Sequence, residues 1–156
     1  MGKETQTKGN LAVAKVIVDI TKVGYVPFVP IFEHPNFDII VVDQNSNLSR
    51  VQVRHCKLGD NGSIEVKLYN AYSNSQGAKM ARLDRNAFDS FAIYCPDTEE
   101  IYYIKNSEIP KDSISTFSLR VTPPLGRKGR PLINGLESFR MASKYVGSDR
   151  LFVTEG

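Results

Sequence analysis

Two short apolar segments of the chain carry polar side chains that could do chemistry on a phosphate. Asp38 lies in the run 37–42, and Gln52 and Arg54 lie in the run 50–54. A charge inside a β-branched strand loses its hydration, so Asp38 and Arg54 need partners. A divalent metal ion and a phosphate would satisfy both, as in a metal-dependent phosphodiesterase. A buried ion pair between the two side chains is the alternative interpretation.

The spacing of Gln52 and Arg54 places both on one face of a strand, because side chains two residues apart point the same way. They can therefore reach one phosphate together. Asp38 could bind a divalent cation through oxygen beside the Gln52 carbonyl, and such an ion activates water and stabilises charge on phosphorus. Arg54 would bind the phosphate, but it cannot act as a general base because its guanidinium does not deprotonate.

Two further stretches carry side chains suited to a polyanion. Residues 120–130 contain four basic side chains and no acidic one, and such an arm follows phosphates or a minor groove without a fixed fold. The polar composition of residues 70–85 predicts a mobile surface loop, or a β-ribbon that could enter a major groove. The alternative for residues 120–130 is a solvated linker, and the alternative for residues 70–85 is an ordinary polar loop. The candidate DNA-binding residues are Asn70, Tyr72, Asn74, Gln76, Lys79, Arg82, Arg85, Arg120, Arg127, Lys128 and Arg130.

Apolar periodicity and turn residues predict the elements that position these side chains. Helical spacing over 9–24 predicts a first helix, and two prolines confine the extended segment 24–30 to a sheet edge or a strand end. The nearly continuous apolar run 37–43 predicts a central strand covered on both faces. The remaining predicted elements are strands over 48–57, 64–69, 88–95, 101–105 and 117–121, a basic linker over 123–131 and a helix over 132–146.

Length and composition limit the class of protein. The 156 residues fit one domain, and the net charge of +3 permits nucleic-acid binding without arguing for it. No apolar run approaches a membrane span, and the polar N-terminus lacks a secretion signal. We therefore expect a cytoplasmic or equivalent location and no membrane partner. Cys56 and Cys95 lack the paired spacing of a zinc site, which favours reduced core thiols.

Several segments occur along the chain in an order that is specific as a set: 8–14, 24–26, 37–40, 50–54, 88–95, 101–104 and 119–124. This order resembles the PD-(D/E)XK, or restriction-endonuclease-like, nucleases, and most closely their group I intron homing endonuclease branch. The resemblance implies an α/β fold with a mixed central sheet flanked by helices, and a β-hairpin or loop that contacts DNA. It also implies a single nuclease-like domain over 1–156, with its core over about residues 7–122.

The resemblance assigns roles to four residues of the predicted catalytic site. Asp38 matches the metal-binding aspartate, and Gln52 matches a second position where this branch tolerates glutamine. Asn10 stands where the family often has a glutamate, and Arg54 stands where it has a lysine. Asn10 keeps an oxygen ligand without a negative charge, and Arg54 keeps its charge but cannot titrate. We therefore expect weak binding of Mg²⁺ or Mn²⁺, with Asp38 and Gln52 as the metal ligands.

Other side chains could supply what Asn10 and Arg54 lack. The conceivable substitutes are the carboxylates of Glu33, Asp43 and Glu65 and the amine of Lys57. Each of these is as plausibly an ordinary surface residue. His34, just before the Asp38 strand, could touch a substrate near the metal, although a histidine in such a loop is more often simply exposed.

The sequence thus predicts a sequence-specific, divalent-metal-dependent DNA endonuclease of the homing type. A chain with one site covers little duplex, so double-strand cleavage implies a homodimer or homotetramer on double-stranded DNA. The predicted helix 132–146 is the candidate interface, and packing on the chain's own sheet is the alternative. A different function is a DNA-binding module that keeps this fold but has weakened or lost catalysis, as Asn10 and Arg54 suggest.

Overall fold

The computed structural model describes residues 2–34, 36–60 and 62–121. Within these residues the elements are α1 (Gly2–Lys22), β1 (Val26–Phe28), β2 (Ile39–Val42), β3 (Leu48–His55), β4 (Ser63–Lys67), β5 (Tyr69–Asn74), β6 (Gly77–Arg82), β7 (Ser90–Cys95), β8 (Glu100–Lys105) and β9 (Thr116–Arg120). The predicted linker over 123–131 and the predicted helix over 132–146 lie outside the described residues. No helix in the described part is long and apolar enough to cross a membrane.

Helix α1 begins at Gly2, earlier than the residue 9 that apolar spacing predicts. Its first turns are polar and carry an exposed ion pair between Glu4 and Lys8, at 2.8 Å. Because these turns have no apolar side, periodicity reveals only the later part of the helix. Gly24 follows the helix with a φ of +86°, a left-handed conformation that glycine adopts without strain.

The central sheet has five strands in the order β1-β2-β3-β7-β8. Strands β3 and β7 are parallel, and the other neighbouring pairs are antiparallel. Strand β4 pairs with β9, and β5 pairs with β6, in two separate two-stranded sheets. The expected mixed central sheet is therefore present, with α1 as the long helix that packs against it.

The core has two parts, one on each face of the central sheet. Helix α1 packs on one face, where Val16 and Ile20 join Val51 and Tyr103. On the other face, β4 and β9 pack against β7 and β8 through the buried side chains of Ile64, Phe91, Ile93, Tyr102 and Leu119. Burying side chains of this size contributes roughly 1.5–3 kcal/mol each. Strands covered on both faces are apolar throughout, which explains why β7 is buried along its whole length.

Two predictions about the elements are wrong. Segment 70–85 is not a loop, since most of it forms the antiparallel β5–β6 hairpin, which is the ribbon alternative. Strand β2 is not covered on both faces: Ile39 and Val41 are buried, whereas Ile40 and Val42 are half-buried. It lies beside the edge strand, where the second face of the sheet is less covered. The other predicted strands match the observed ones within two residues at each end.

Strand β1 forms one edge of the central sheet, as its prolines predict, and pairs only with β2 among the described strands. The strand and the residues after it expose large apolar side chains. Phe28 is 55% exposed, Ile31 is 93% exposed and Phe32 is 84% exposed. This strip of residues 26–32 is therefore an apolar surface at the sheet edge.

Candidate functional site

A cleft opens where the pairing between strands β2 and β3 stops, at the N-terminal end of β2. The last register pair of β2 with β3 is Ile39 with Val51, so β3 runs on to His55 without β2 beside it. Asp38 lies at this point. Its backbone N–H donates to the Val51 carbonyl at 2.9 Å, and its Oδ2 accepts the N–H of Val53 at 2.7 Å. The carboxylate thus satisfies a strand N–H that β2 no longer reaches.

The cleft has a volume of about 990 Å³ and is lined by α1, the segment before β2, strand β3 and the base of the hairpin. Its polar lining residues are Asn10, Glu33, His34, Asp38, Gln52, Arg54, Asn70 and Tyr72. The four residues predicted to be catalytic therefore share one cleft, although they come from three separate parts of the sequence. Two residues predicted to contact DNA lie in the same cleft.

The environment of Asp38 favours the neutral form of its carboxyl group. Burial raises the pKa of its carboxyl group above the ordinary value, whereas the N–H of Val53 and the nearby Arg54 act to lower it. The negative charge of Glu33 raises the pKa further, and the overall shift is upward. A cation in the cleft would stabilise the ionised carboxylate, since an opposite charge favours the charged form. The predicted alternative of an Asp38–Arg54 ion pair is not found among the described residues.

One nitrogen of the Arg54 guanidinium donates a hydrogen bond, whereas another is buried without an acceptor within the described part of the chain. Its Nη2 donates to the Asn70 Oδ1 at 3.1 Å, and its central carbon lies 5.9 Å from the centre of the Phe91 ring. Its Nε is buried and has no hydrogen-bond partner within the described part of the chain. Burial lowers the pKa of Arg54, and Asp38 opposes that shift. A buried donor without a partner is costly, so an anionic acceptor in the cleft would stabilise the site.

The donor set of the cleft fits a hard divalent cation. Asp38 and Glu33 offer carboxylate oxygens, and Gln52 and Asn10 offer amide oxygens, which are ligands that Mg²⁺ accepts together with water. Gln52 is only 3% exposed, so its amide lies inside the protein, whereas Asn10 is exposed on α1. The described residues contain no group of three or more histidine, cysteine or acidic side chains that could hold a metal. Two carboxylates and two amides leave coordination positions of such an ion for water.

Of the four conceivable substitutes, Glu33 is the one that lines the cleft in the described structure. Asp43 accepts three hydrogen bonds from the turn that joins β2 to β3. Glu65 is an exposed residue of β4, and Lys57 is exposed beyond the end of β3. His34 also lines the cleft, where it is exposed and its ring stacks on Phe37 with centroids 4.2 Å apart.

The hairpin carries most of the predicted DNA-binding residues that the structure describes. Tyr72 and Lys79 are opposite each other across the two strands, and both are exposed. Asn74 accepts the backbone N–H of Gln76 at the hairpin turn. Arg82 is exposed at the end of β6. These side chains form a polar ribbon that projects both amides and positive charge into solvent.

The other predicted DNA-binding residues differ in position. Arg85 lies after the hairpin, where its guanidinium donates to Asn106 Oδ1 at 2.5 Å and to the Ile109 carbonyl at 3.2 Å. These bonds anchor the segment after β8. The backbone of Arg120 belongs to β9 and pairs with Ser63. Arg127, Lys128 and Arg130 lie outside the described residues.

Sequence reasoning missed three parts of the site. The N–H of Val53 fixes Asp38, the ring of Phe91 lies against Arg54, and Asn70 bonds to Arg54 rather than pointing freely outward. The first two follow from strand register, which the sequence does not specify. The third had a weak signal, since Asn70 is the first residue of the polar run after β4.

Comparison with known proteins gives matches of two kinds, to a family model and to solved structures. A family model described as PD-(D/E)XK endonuclease matches residues 3–142. The solved structure of the bacterial homing endonuclease I-Ssp6803I matches with a TM-score of 0.66 at 23% sequence identity, covering 81% of this chain and 84% of that chain. No curated protein sequence matches. The structural likeness shows that the two chains share a fold.

Proposed function

The chain belongs to the PD-(D/E)XK endonuclease family, and we propose that it is a sequence-specific DNA endonuclease of the homing type. The family and the α/β, restriction-endonuclease-like fold class are those predicted from the sequence. The observation that carries the proposal is the cleft in which Asp38, Gln52 and Arg54 meet beside an exposed hairpin. Water is the nucleophile, and the substrate is a phosphodiester bond of double-stranded DNA.

Asp38, Gln52 and Asn10 are the residues that would hold the divalent ion, Mg²⁺ or Mn²⁺, through oxygen. When bound, such an ion activates water and stabilises the negative charge that builds on phosphorus. The hydrogen bond from Val53 keeps the Asp38 carboxylate in a fixed orientation at 2.7 Å. Fixed ligands of this kind lower the reorganisation that reaction requires.

Arg54 binds the scissile phosphate. Its Nε is a buried donor that has no partner in the described structure, and its charge is permanent. A phosphate oxygen would satisfy this donor through a charge-assisted hydrogen bond, which is stronger than a neutral one. Because Arg54 cannot accept a proton, it stabilises charge and leaves proton transfer to other groups in the cleft.

The proposed DNA contacts fall into a ribbon and an arm. The β5–β6 hairpin enters the major groove, where amides and the tyrosine read base edges and basic side chains bind phosphates. The ribbon and its flank contribute Asn70, Tyr72, Asn74, Gln76, Lys79, Arg82 and Arg85. The arm contributes Arg120, Arg127, Lys128 and Arg130 to the backbone or the minor groove.

We further propose that the chain acts as one nuclease domain within a homodimer or homotetramer. A chain with one catalytic site would cut one strand, so a double-strand cut needs at least two copies. The predicted helix 132–146 is one proposed contact, and the exposed apolar strip of residues 26–32 supports a second. The proposed location is a cytoplasmic or equivalent compartment that contains DNA.

Plasmid cleavage tests the proposed function. The substrate is a pool of supercoiled plasmids whose randomised inserts sample many target sequences, incubated in Mg²⁺ and then in Mn²⁺. The parent protein should convert part of the pool to nicked and linear DNA, and Asp38→Ala should lower the rate by at least about 100-fold. Asp112→Ala, an exposed change outside the cleft, is the matched control. Equal cleavage by the parent and Asp38→Ala would refute the assigned site.

A second candidate function is a DNA-binding module without turnover. Two residues favour it. Asn10 stands where the family often has a carboxylate, and Arg54 stands where it has a lysine, which can titrate. If the parent protein retards duplex DNA in a gel but leaves every plasmid of the pool intact in both metals, the binding module is correct and the endonuclease is not.

A further inference from the structure

The base of the β5–β6 hairpin differs from the rest of the hairpin. Asn70 is half-buried and lines the cleft, whereas the residues from 71 to 82 are exposed to solvent. Asn70 pairs across the hairpin with Ala81, which lines the same cleft. The proposed DNA-reading ribbon therefore begins at the wall of the proposed catalytic cleft.

A side-chain hydrogen bond joins the base of the hairpin to Arg54 of strand β3. Arg54 Nη2 donates to Asn70 Oδ1 at 3.1 Å, and this is the side-chain hydrogen bond that Arg54 makes within the described residues. The central carbon of the guanidinium also lies 5.9 Å from the centre of the Phe91 ring, and the charge of Asp38 attracts the group. Neither of these fixes the rotation of the guanidinium, because both are non-directional over this range.

The planar shape of the guanidinium makes this bond consequential. Nη2 and Nε belong to one rigid group, so a bond that fixes Nη2 also fixes Nε. Nε is the buried donor without a partner. The orientation of the free donor is therefore set by a residue of the hairpin.

We propose that Asn70 is a positioning residue: it holds Arg54 so that Nε donates to a phosphate in the cleft, and it links the hairpin to catalysis. This inference rests on the proposed function. It changes the role of Asn70, because an amide oxygen bonded to Arg54 is not available to read a base. Docking of the ribbon on DNA then acts on Arg54 through one hydrogen bond.

Cleavage kinetics give the first test. Asn70→Ala should lower kcat about 10-fold and change the Kd for duplex DNA by less than about 3-fold, since the bond acts on orientation rather than on binding. Asn70→Asp keeps the acceptor oxygen and should recover kcat to within about 3-fold of the parent. Asn86→Ala, an exposed asparagine outside the cleft, is the matched control and should keep the parent kcat. A larger loss in Kd than in kcat for Asn70→Ala would overturn the positioning role.

A second readout does not depend on cleavage. The ¹⁵Nε–H signal of Arg54 is assigned by its disappearance in Arg54→Lys, and its exchange with solvent is measured in the free protein. Asn70→Ala should raise the exchange rate about 10-fold, and Asn70→Asp should leave it near the parent value. Unchanged exchange in Asn70→Ala overturns the inference. Should Asn70→Ala fail to fold, Asn70→Ser removes the reach to Arg54 and replaces it in both measurements.

The two readouts separate this inference from the proposed function. If no form of the protein cuts DNA but exchange rises in Asn70→Ala, the endonuclease proposal fails and the positioning of Arg54 by Asn70 stands. If the parent cuts DNA but neither kcat nor exchange changes in Asn70→Ala, the endonuclease stands and the positioning role is wrong.

Discussion

Asn10 and Arg54 stand where the family resemblance implies a glutamate and a lysine. Compared with that pair, they change the electrostatics of the cleft more than its shape. Asn10 offers an oxygen at the helix side of the cleft without a charge, and Asp38 already has a raised pKa because it is buried. Glu33 adds a negative charge, but it is exposed to solvent, which screens it. A cation therefore meets less negative charge than a cleft with a third carboxylate would supply. Weak metal binding is the expected consequence at the residue scale.

Restoring the residues that the family resemblance implies tests this account. Asn10→Glu should lower the Mg²⁺ concentration for half-maximal cleavage about 10-fold, because one added carboxylate ligand is worth roughly 1.4 kcal/mol. Adding Arg54→Lys should raise the maximal rate further, since an amine can titrate. Asn45→Glu places the same charge in an exposed turn outside the cleft and serves as the control. If neither change increases cleavage in Mg²⁺ or Mn²⁺, a shortage of charge is not what limits the enzyme.

The grouping of Asp38, Gln52 and Arg54 could be predicted, because it needs only strand periodicity and adjacent strands. The contacts that orient these residues could not. The N–H of Val53 becomes available because β2 begins only at Ile39, and the point where this strand begins depends on the tertiary structure. The Asn70 contact requires the hairpin to fold back against β3, which no local pattern encodes.

At the scale of elements, an ion pair joins the parallel strands β3 and β7. Parallel neighbours have no tight turn between them, so other bonds must set their register. Asp89, just before β7, accepts the Arg50 backbone N–H at 2.7 Å, the Arg50 Nε at 3.1 Å and the Arg50 Nη2 at 3.0 Å. The Asp89 N–H donates in turn to the Arg50 carbonyl at 2.8 Å. These bonds fix the strand that carries Gln52 and Arg54.

This ion pair predicts how stability depends on pH. Burial raises the pKa of Asp89, but the hydrogen bonds from Arg50 lower it more, so the overall shift is downward. A lowered pKa stabilises the folded state above the unfolded value of about 3.9 and loses that contribution as pH falls below it. Asp89→Asn should therefore lower the free energy of unfolding by about 1 kcal/mol at pH 7, because both side chains are partly exposed.

Urea unfolding of the parent and Asp89→Asn at several pH values measures this effect. The difference between them should persist from pH 7 to about pH 4 and shrink as pH falls further, because the folded-state pKa of Asp89 lies below the unfolded value. Asp112→Asn, at an exposed position, should match the parent throughout. A difference that does not shrink as pH falls below about 4 would mean that charge is not what Asp89 contributes.

The hairpin shows where prediction of elements from sequence reaches its limit. Strand β4 alternates between buried and exposed residues, so periodicity predicts it. Strands β5 and β6 expose nearly all of their side chains, so they have no apolar period. Their register is set by a tight turn that ends at Gly77, whose φ of +108° suits glycine. A strand pair that buries neither face is therefore indistinguishable from a polar loop in the sequence.

At the scale of the whole molecule, the exposed apolar strip of residues 26–32 supports the proposed assembly of two or more chains. Ile31 and Phe32 are almost fully exposed, and Phe32 also lines the cleft. A contiguous apolar surface of this kind marks an interaction site more often than an ordinary surface. A second copy on this strip would place two clefts near each other, as a double-strand cut requires.

Sedimentation velocity combined with plasmid cleavage tests the assembly. The parent should sediment as a dimer or tetramer at micromolar concentration and should linearise plasmid with little accumulation of nicked circles. Ile31→Lys should raise the dissociation constant at least about 10-fold, because it buries a charge in the interface without disturbing the fold of an exposed residue. The dissociated protein should then nick more than it linearises, since each chain reaches one strand.

Ile114→Lys changes another exposed isoleucine, 58% exposed, and should keep the parent assembly. An assembly that is unaffected by Ile31→Lys would move the interface away from the strip, and a parent that linearises plasmid as a monomer would contradict the proposed pairing of clefts.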